Sequence, residues 1–250
     1  MRGKQRLAFY ALQLLLLMPL SAAQIFSVTD LGTLGGDYSG ATGINERGEV
    51  VGYSDIADHS AVHAFVWTRH GGMQDLNPPE ITQSLATGIN DLGHVVGVAT
   101  FPVGPDHFQS HAVLWTKQKG IKDLGILGNT STAFGINDRD QVVGDTNVTG
   151  GNTDAAFRWT RAGGIEDLET LGGGGATAQA INNLGHVVGG SFTRDRFHAF
   201  SWATSVGMRD LGTLGGCESE ATGINDSRSD CGRIVDRLRL QQPACVSLDK

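Results

Sequence analysis

The chain has 250 residues, 40% of them hydrophobic and 18% charged, which excludes a disordered chain and suits one large domain or a stack of small units. Its net charge is −7 with no basic stripe, which excludes nucleic acid and anionic membrane surfaces as partners. Thirty-six glycines against six prolines recur at fixed places, so they read as tight turns and not as a flexible linker.

Residues 1–23 read as a secretory signal peptide. Arg2, Lys4 and Arg6 give a basic start, residues 7–20 an apolar run too short for a comfortable membrane span, and Ser21, Ala22 and Ala23 the small residues before a cut ahead of Gln24. Losing those three basic residues takes the mature chain to −10. The expected address is secreted or periplasmic, with no membrane insertion after cleavage.

From residue 26 onward the chain repeats itself. Gly-Ile-Asn recurs at Gly43, Gly88, Gly135 and Gly223, and as Ala-Ile-Asn at Ala180. Val-Val-Gly ends at Gly52, Gly97, Gly144 and Gly189, the first copy starting at Val50. An aromatic run holds His63 with Trp67, His111 with Trp115, Ala155 with Trp159, and His198 with Trp202. Asp-Leu recurs at Asp30, Asp75, Asp123, Asp167 and Asp210, at spacings of 45, 48, 44 and 43 residues. A fixed period of that size means an array.

Within one period, residues 41–45 predict a first strand. The Asn-x-x-Gly that follows at Asn45 and Gly48 suits a type I turn closed by a left-handed residue, and Asp140 takes the glycine's place once. Val-Val-Gly predicts a second strand covered on both faces, its glycine leaving room for a close neighbour. The third strand alternates His63, Phe65 and Trp67 with Ala64 and Val66, large side chains on one face and small ones on the other. His70, Gly71 and Gly72 then predict a second hairpin into a short fourth strand at Asp75 and Leu76.

Each period is therefore expected to be a four-stranded antiparallel meander. The predicted fold is all-β, a β-propeller-like array of about four complete blades plus a truncated fifth. A parallel β-solenoid or open β-array is the alternative. The combination of G-I-N-x-x-G-x-V-V-G, H-A-F-x-W and D-L-G-T-L-G-G resembles the extracellular repeat of the HAF family, over residues 26 to about 226. That resemblance implies export and brings no catalytic residues; the third copy departs from it at Ala155.

The recurring His63, His111 and His198 read as structural, a ring nitrogen bonding a neighbouring backbone group, since metal ligands should converge on one point. Asp75, Asp123, Asp167 and Asp210 read as turn caps. The glycine run at residues 172–175 has no lysine or following helix, so it is not a phosphate loop. No metal or cofactor is expected. Cys217, Cys231 and Cys245 occupy no shared repeat position and match no zinc spacing.

Function should lie where the copies differ. Both tight hairpins of a meander emerge on one face, so the longer second-to-third-strand loops and the blade-to-blade links share the other. From the Val-Val-Gly glycine to the histidine slot the spans are 11, 14, 11 and 9 residues. The longest carries Phe101, Asp106 and His107, read as one loop. With Tyr38, Asp58 and Asn129 these are the candidate ligand-binding residues. The expected function is an exported non-catalytic scaffold that binds a surface glycan or a protein partner. The alternative is a glycan-active hydrolase or lyase built on the same scaffold.

The fifth copy opens correctly at Ala221 and runs to Asp226, then Arg228, Ser229, Asp230, Cys231 and Gly232 stand where G-x-V-V-G belongs. Reading from the second base of each codon permits Gly-Gln-Ile-Val-Gly there, and His-Ala-Phe at Pro243, Ala244 and Cys245. Pro243 follows Asn225 by 18 residues, as His63 follows Asn45. Residues 227–250 are therefore expected to be out of frame and without repeat structure, leaving residues 24–226 as the repeat domain. The array would then end at an exposed edge open to self-association.

Overall fold

The computed structural model describes residues 27–147, 154–227, 229–236 and 239–247. The signal-peptide reading lies outside them. The chain divides at Asp30, and the repeats belong to the unit that begins at Leu31.

That unit is a row of antiparallel blades, as the period predicts. The first holds β1 (Gly35–Ile44), β2 (Val50–Ile56), β3 (Val62–Thr68) and β4 (Gly72–Asp75). The second holds β5 (Gln83–Ile89), β6 (Val95–Gly104), β7 (His107–Thr116) and β8 (Gly120–Gly125). The third holds β9 (Ser131–Ile136), β10 (Val142–Asn147), β11 (Asp154–Thr160) and β12 (Gly164–Asp167). The fourth holds β13 (Ala176–Ile181), β14 (Val187–Phe192), β15 (Phe197–Ala203) and β16 (Gly207–Gly212). In each, strand order in space equals strand order in sequence, which makes each blade a meander and the whole a β-propeller-like array.

The fifth sheet corrects one expectation. β17 (Glu218–Ile224), β18 (Ser229–Asp236) and β19 (Arg239–Ser247) form a three-stranded antiparallel sheet, so the tail does carry repeat-like backbone. β18 takes the second-strand register, Gly223 opposite Cys231 as Gly43 is opposite Val51. The physical reason is that ladder hydrogen bonds are made by the backbone. The free edge of β17 pairs with whatever chain follows, even where the Val-Val-Gly letters are lost.

Close backbone approach explains the repeated glycines. A Cβ placed on Gly52, Gly97, Gly144 or Gly189 would lie 1.9, 1.9, 1.9 and 2.0 Å from a carbonyl oxygen of the first strand of its own blade. Beside each glycine that first strand carries a bulge, for example between Ala41 and Gly43 and between Ala86 and Gly88. The extra residue there is Thr42 or Thr87. Its hydroxyl donates to the next blade's first strand, to Ala86 O and Ala133 O, each at 2.7 Å. The bulge thus re-aims one side chain across the blade boundary.

The two valines of each second strand face opposite neighbours. Val95 packs with Val51, Ala64 and Val66 of the preceding blade and with Trp115 of its own. Val96 packs toward the third blade with Val142, Phe157 and Trp159. The same division repeats at Val143 and Val188. Trp115, Trp159 and Trp202 are buried against the blade that precedes them. Lys122 caps the Trp159 ring from the second blade, and Arg158 caps Trp202 from the third. Trp67 belongs to the first blade and is less buried.

Candidate functional site

The two faces of the array differ in kind. The hairpins joining first to second and third to fourth strands lie together. Lys117, in the β7–β8 turn, reaches Glu49 beyond the β1–β2 turn at 3.3 Å, and Arg161, in the β11–β12 turn, reaches Asp140 at 3.2 Å. Gly48, Gly93 and Gly185 close their turns at positive φ, and Asp140 does so at φ 57°, as the turn pattern predicts.

This hairpin face is tied together by a ladder that the sequence reading missed. Asn90 Oδ1 accepts from the backbone N–H of Leu92 and His94 in its own turn. Its Nδ2 donates to the backbone carbonyl of Asn137, the same residue one blade on, at 2.9 Å. Asn45, Asn137 and Asn182 repeat this toward Asn90, Asn182 and Asn225 at 2.9–3.0 Å. One residue further along, the N–H groups of Glu46, Asp91, Asp138 and Asn183 donate to Asp91, Asp138, Asn183 and Asp226 of the following blade at 2.8–2.9 Å. The ends of all five first strands line an open cavity of about 300 Å³. Its aspartates Asp91, Asp138 and Asp226 are thus engaged in holding blades together. The signal was present: Asn stands in all five copies, while the turn-closing glycine gives way twice, at Asp140 and Arg228.

The histidines correct another expectation. His63, His111 and His198 do not bond backbone through Nδ1; they meet Asp75, Asp123 and Asp210 of the adjacent strand at 2.8, 2.7 and 3.0 Å. A carboxylate is the stronger acceptor and lies diagonally across the ladder, Asp75, Asp123 and Asp210 standing opposite Phe65, Val113 and Phe200. The aspartates also cap turns as predicted, the other oxygen accepting from Asn77, Gly125 or Gly212 N–H. Asp167 caps Glu169 and stands opposite Phe157; Ala155 takes the histidine's place in that blade, so Asp167 has no imidazole to meet. These pairs are dealt one to a blade. Among the described residues no group of three or more His, Cys, Asp or Glu is placed to hold a metal ion.

The opposite face carries the sequence-predicted site residues. Tyr38 is half-exposed at the start of β1, edge-on to Tyr53. Asp58 sits in the β2–β3 turn, where the Ser60 hydroxyl and N–H both donate to it and hold its carboxyl below the ordinary value. Beside it His59 adopts φ 57° and bonds Asp55 at 2.5 Å, which with Asp37 raises the imidazole above its usual range. Asn129 is exposed in the link before β9.

The stretch read as a loop at residues 101–108 is instead an extension of β6 and β7. Phe101 pairs with Gln109, Pro102 with Phe108 and Gly104 with His107, around a tight turn in which Asp106 takes φ 53°. Pro102 is tolerated because β5 ends opposite Thr100, so no ladder hydrogen bond is asked of its nitrogen on that side. Phe101 turns inward onto the core and the His111 ring, 5.4 Å away, and is removed from the exposed set. His107, Asp106 and Phe108 remain exposed. Tyr38, Asp58, Asp106, His107 and Asn129 therefore share a face but spread over three blades, and no hydrogen bond or ring contact joins them among the described residues.

No family model matches the chain, and no curated protein matches it. Among solved structures it is similar to TolB from Acinetobacter baumannii, with a TM-score of 0.53 and 10% identity over 83% of this chain and 55% of that one. The chain thus spans about half the length of that relative. It also matches the β-propeller domain of the Trilobed protease from Pyrococcus furiosus, with a TM-score of 0.47 and 8% identity over 84% of this chain and 79% of that one. Likeness at such identity speaks to fold alone.

Proposed function

We propose that this chain is an exported, non-catalytic binding scaffold of the HAF-repeat kind, presenting its second-to-third-strand loops and blade links to a surface glycan or protein. One observation carries the reading. The half-exposed aromatic side chains Tyr38, Phe108 and Phe192 all lie at that face, whereas the exposed aliphatic side chains are divided between both faces. Exposed aromatics gathered on one side of a folded array mark a contact surface.

The hairpin face supports the same division of labour, since its repeated asparagines and the aspartates Asp91, Asp138 and Asp226 are occupied by neighbouring backbones. The histidine–aspartate pairs support a structural reading too, because each repeats in its own blade and each aspartate also caps a turn. The glycan-active enzyme is the rival reading, and reducing-end release assays on the same glycans separate the two. Among the described residues β19 is an edge strand of its sheet, which offers a second, weaker contact through self-association.

The test uses the mature full-length chain on a glycan array and in pull-downs from envelope extract. Tyr38→Ser with Phe108→Ser should lose at least tenfold of the binding signal, while Leu92→Ser with Leu184→Ser on the hairpin face should keep it. Retention by the first pair, or release of sugar by the wild type, overturns the proposal.

A further inference from the structure

A cavity of about 330 Å³ opens between the third and fourth blades on the same face. Its aromatic wall is Phe192 and Phe197, rings edge to face with centroids 4.9 Å apart. The wall is built in. Phe192 and Phe197 are directly paired across β14 and β15, and the turn between them is tied by Thr193, whose N–H donates to Arg196 O at 2.8 Å. Phe197 lies over Gly190, where a Cβ would come within 2.3 Å of its ring. The equivalent positions in other blades are Tyr53, Val98 and Asp145, so this bare strand is a local feature of the fourth blade.

The polar side comes from Asp154, Thr177 and Arg194. Behind Thr177 stands Asp145, on the face of β10 that looks toward the fourth blade, receiving the Thr177 hydroxyl at 3.4 Å. Burial first, and the neighbouring Asp154 charge second, push the Asp145 carboxyl up to about 6.

We infer that this cavity is a sugar subsite, taking one pyranose ring with its C–H face on Phe192 and Phe197 and its hydroxyls on Asp154, Thr177 and Arg194. A small concave site with an aromatic wall and a few fixed polar groups has the form of a ligand pocket, and its volume sits at the lower end of that class. Carboxylate and guanidinium are planar groups able to take or give paired hydrogen bonds to neighbouring hydroxyls. With Asp145 and Asp154 ionised against Arg194 alone, the site is net negative. It therefore favours a ring bearing an amine over a neutral ring, and rejects a ring bearing a carboxylate. This inference rests on the binding-scaffold reading of the face.

The test is a titration of the isotopically labelled mature protein with glucosamine, glucose and glucuronate, followed by amide and Phe ring shifts in NMR. The expected order is glucosamine at least fivefold tighter than glucose, with no glucuronate response, and shifts centred on β13, β14 and the Phe192–Phe197 turn. Raising the pH from 5 to 7 should strengthen glucosamine binding severalfold as Asp145 ionises beside Asp154 and Arg194. Phe192→Ala should weaken glucosamine and glucose tenfold each. Asp145→Asn should remove the preference for glucosamine over glucose without unfolding the chain.

Equal response to glucuronate, or binding unchanged by Phe192→Ala, overturns the subsite. Loss of sugar binding only in the Tyr38 and Phe108 variants would overturn it while leaving the face-level reading standing. No response to any of the three sugars also overturns it, and partner binding in the pull-down then reads the face independently.

Discussion

Alanine at Gly97 probes the close blade geometry most sharply. Its Cβ would sit 1.9 Å from Leu85 O and 2.9 Å from Ala86 Cα, where ordinary contacts lie at 3.4–4 Å. Both obstacles are backbone, so no side chain can step aside. Relief requires β5 and β6 to part by roughly 1.5 Å, more than a packed core absorbs without strain. That movement strains the pairing of Ala86 with Gly97 and Leu85 with Val98. Overpacking contributes about 1–3 kcal/mol and one or two weakened ladder bonds about 1 kcal/mol each, so we expect roughly 3–5 kcal/mol. Gly120→Ala is the control, with φ +65° and nothing within 4 Å of its Cβ; left-handed strain alone should cost about 1–2 kcal/mol. Urea unfolding followed by tryptophan fluorescence compares the two. Equal losses for Gly97→Ala and Gly120→Ala would refute the close-approach argument.

Trp115→Ala should cost about 3–5 kcal/mol, because the ring is 4% exposed and fills the seam with the first blade; a loss under about 1 kcal/mol in the same assay counts against interlocked blades. Asn137→Ala leaves two turn N–H groups without their acceptor and takes the cross-blade donor from the Asn182 carbonyl, which keeps only Gly185 N–H, so about 2–4 kcal/mol should go, and Asn137→Asp should be no full rescue since it lacks the donor. Asp145 holds its proton more tightly folded, at about 6, than unfolded, at 3.8. Its burial therefore lowers stability above pH 6, and that cost fades as pH falls toward 4. At 1.36 kcal/mol per pH unit the ceiling is about 3 kcal/mol, and partial solvent screening leaves about 1–2. Asp145→Asn should be more stable than wild type at pH 7 and lose that slope between pH 4 and 6 in thermal melts; equal stability at pH 7 contradicts it.

The blades were legible because local rules and global packing agree in them. Val-Val-Gly, paired turns and one tryptophan per period each allow few structures, and a stack satisfies all of them together. What escaped the sequence lay in second valences. Asn90 reads as a turn former, and its Oδ1 does serve the turn; only in three dimensions does Nδ2 find Asn137. His111 and Asp123 were each recognised, but their constant separation of 12 residues, shared by His63 with Asp75 and His198 with Asp210, was the overlooked sign of pairing. Phe101 was misplaced because prolines at 102 and 105 suggested a loop, while the strand only outgrows its neighbour. Asp145 could not be found from the sequence at all, since nothing local reports burial by a strand of the following blade.

Hydrogen exchange of the mature chain, alone and with the component it captures from the envelope, tests the central claim that one face holds the array together while the other binds. The account predicts new protection in residues 57–61, 101–109, 126–130 and 192–197, with residues 45–49, 90–94 and 137–141 unchanged. Protection confined to the asparagine turns would contradict it.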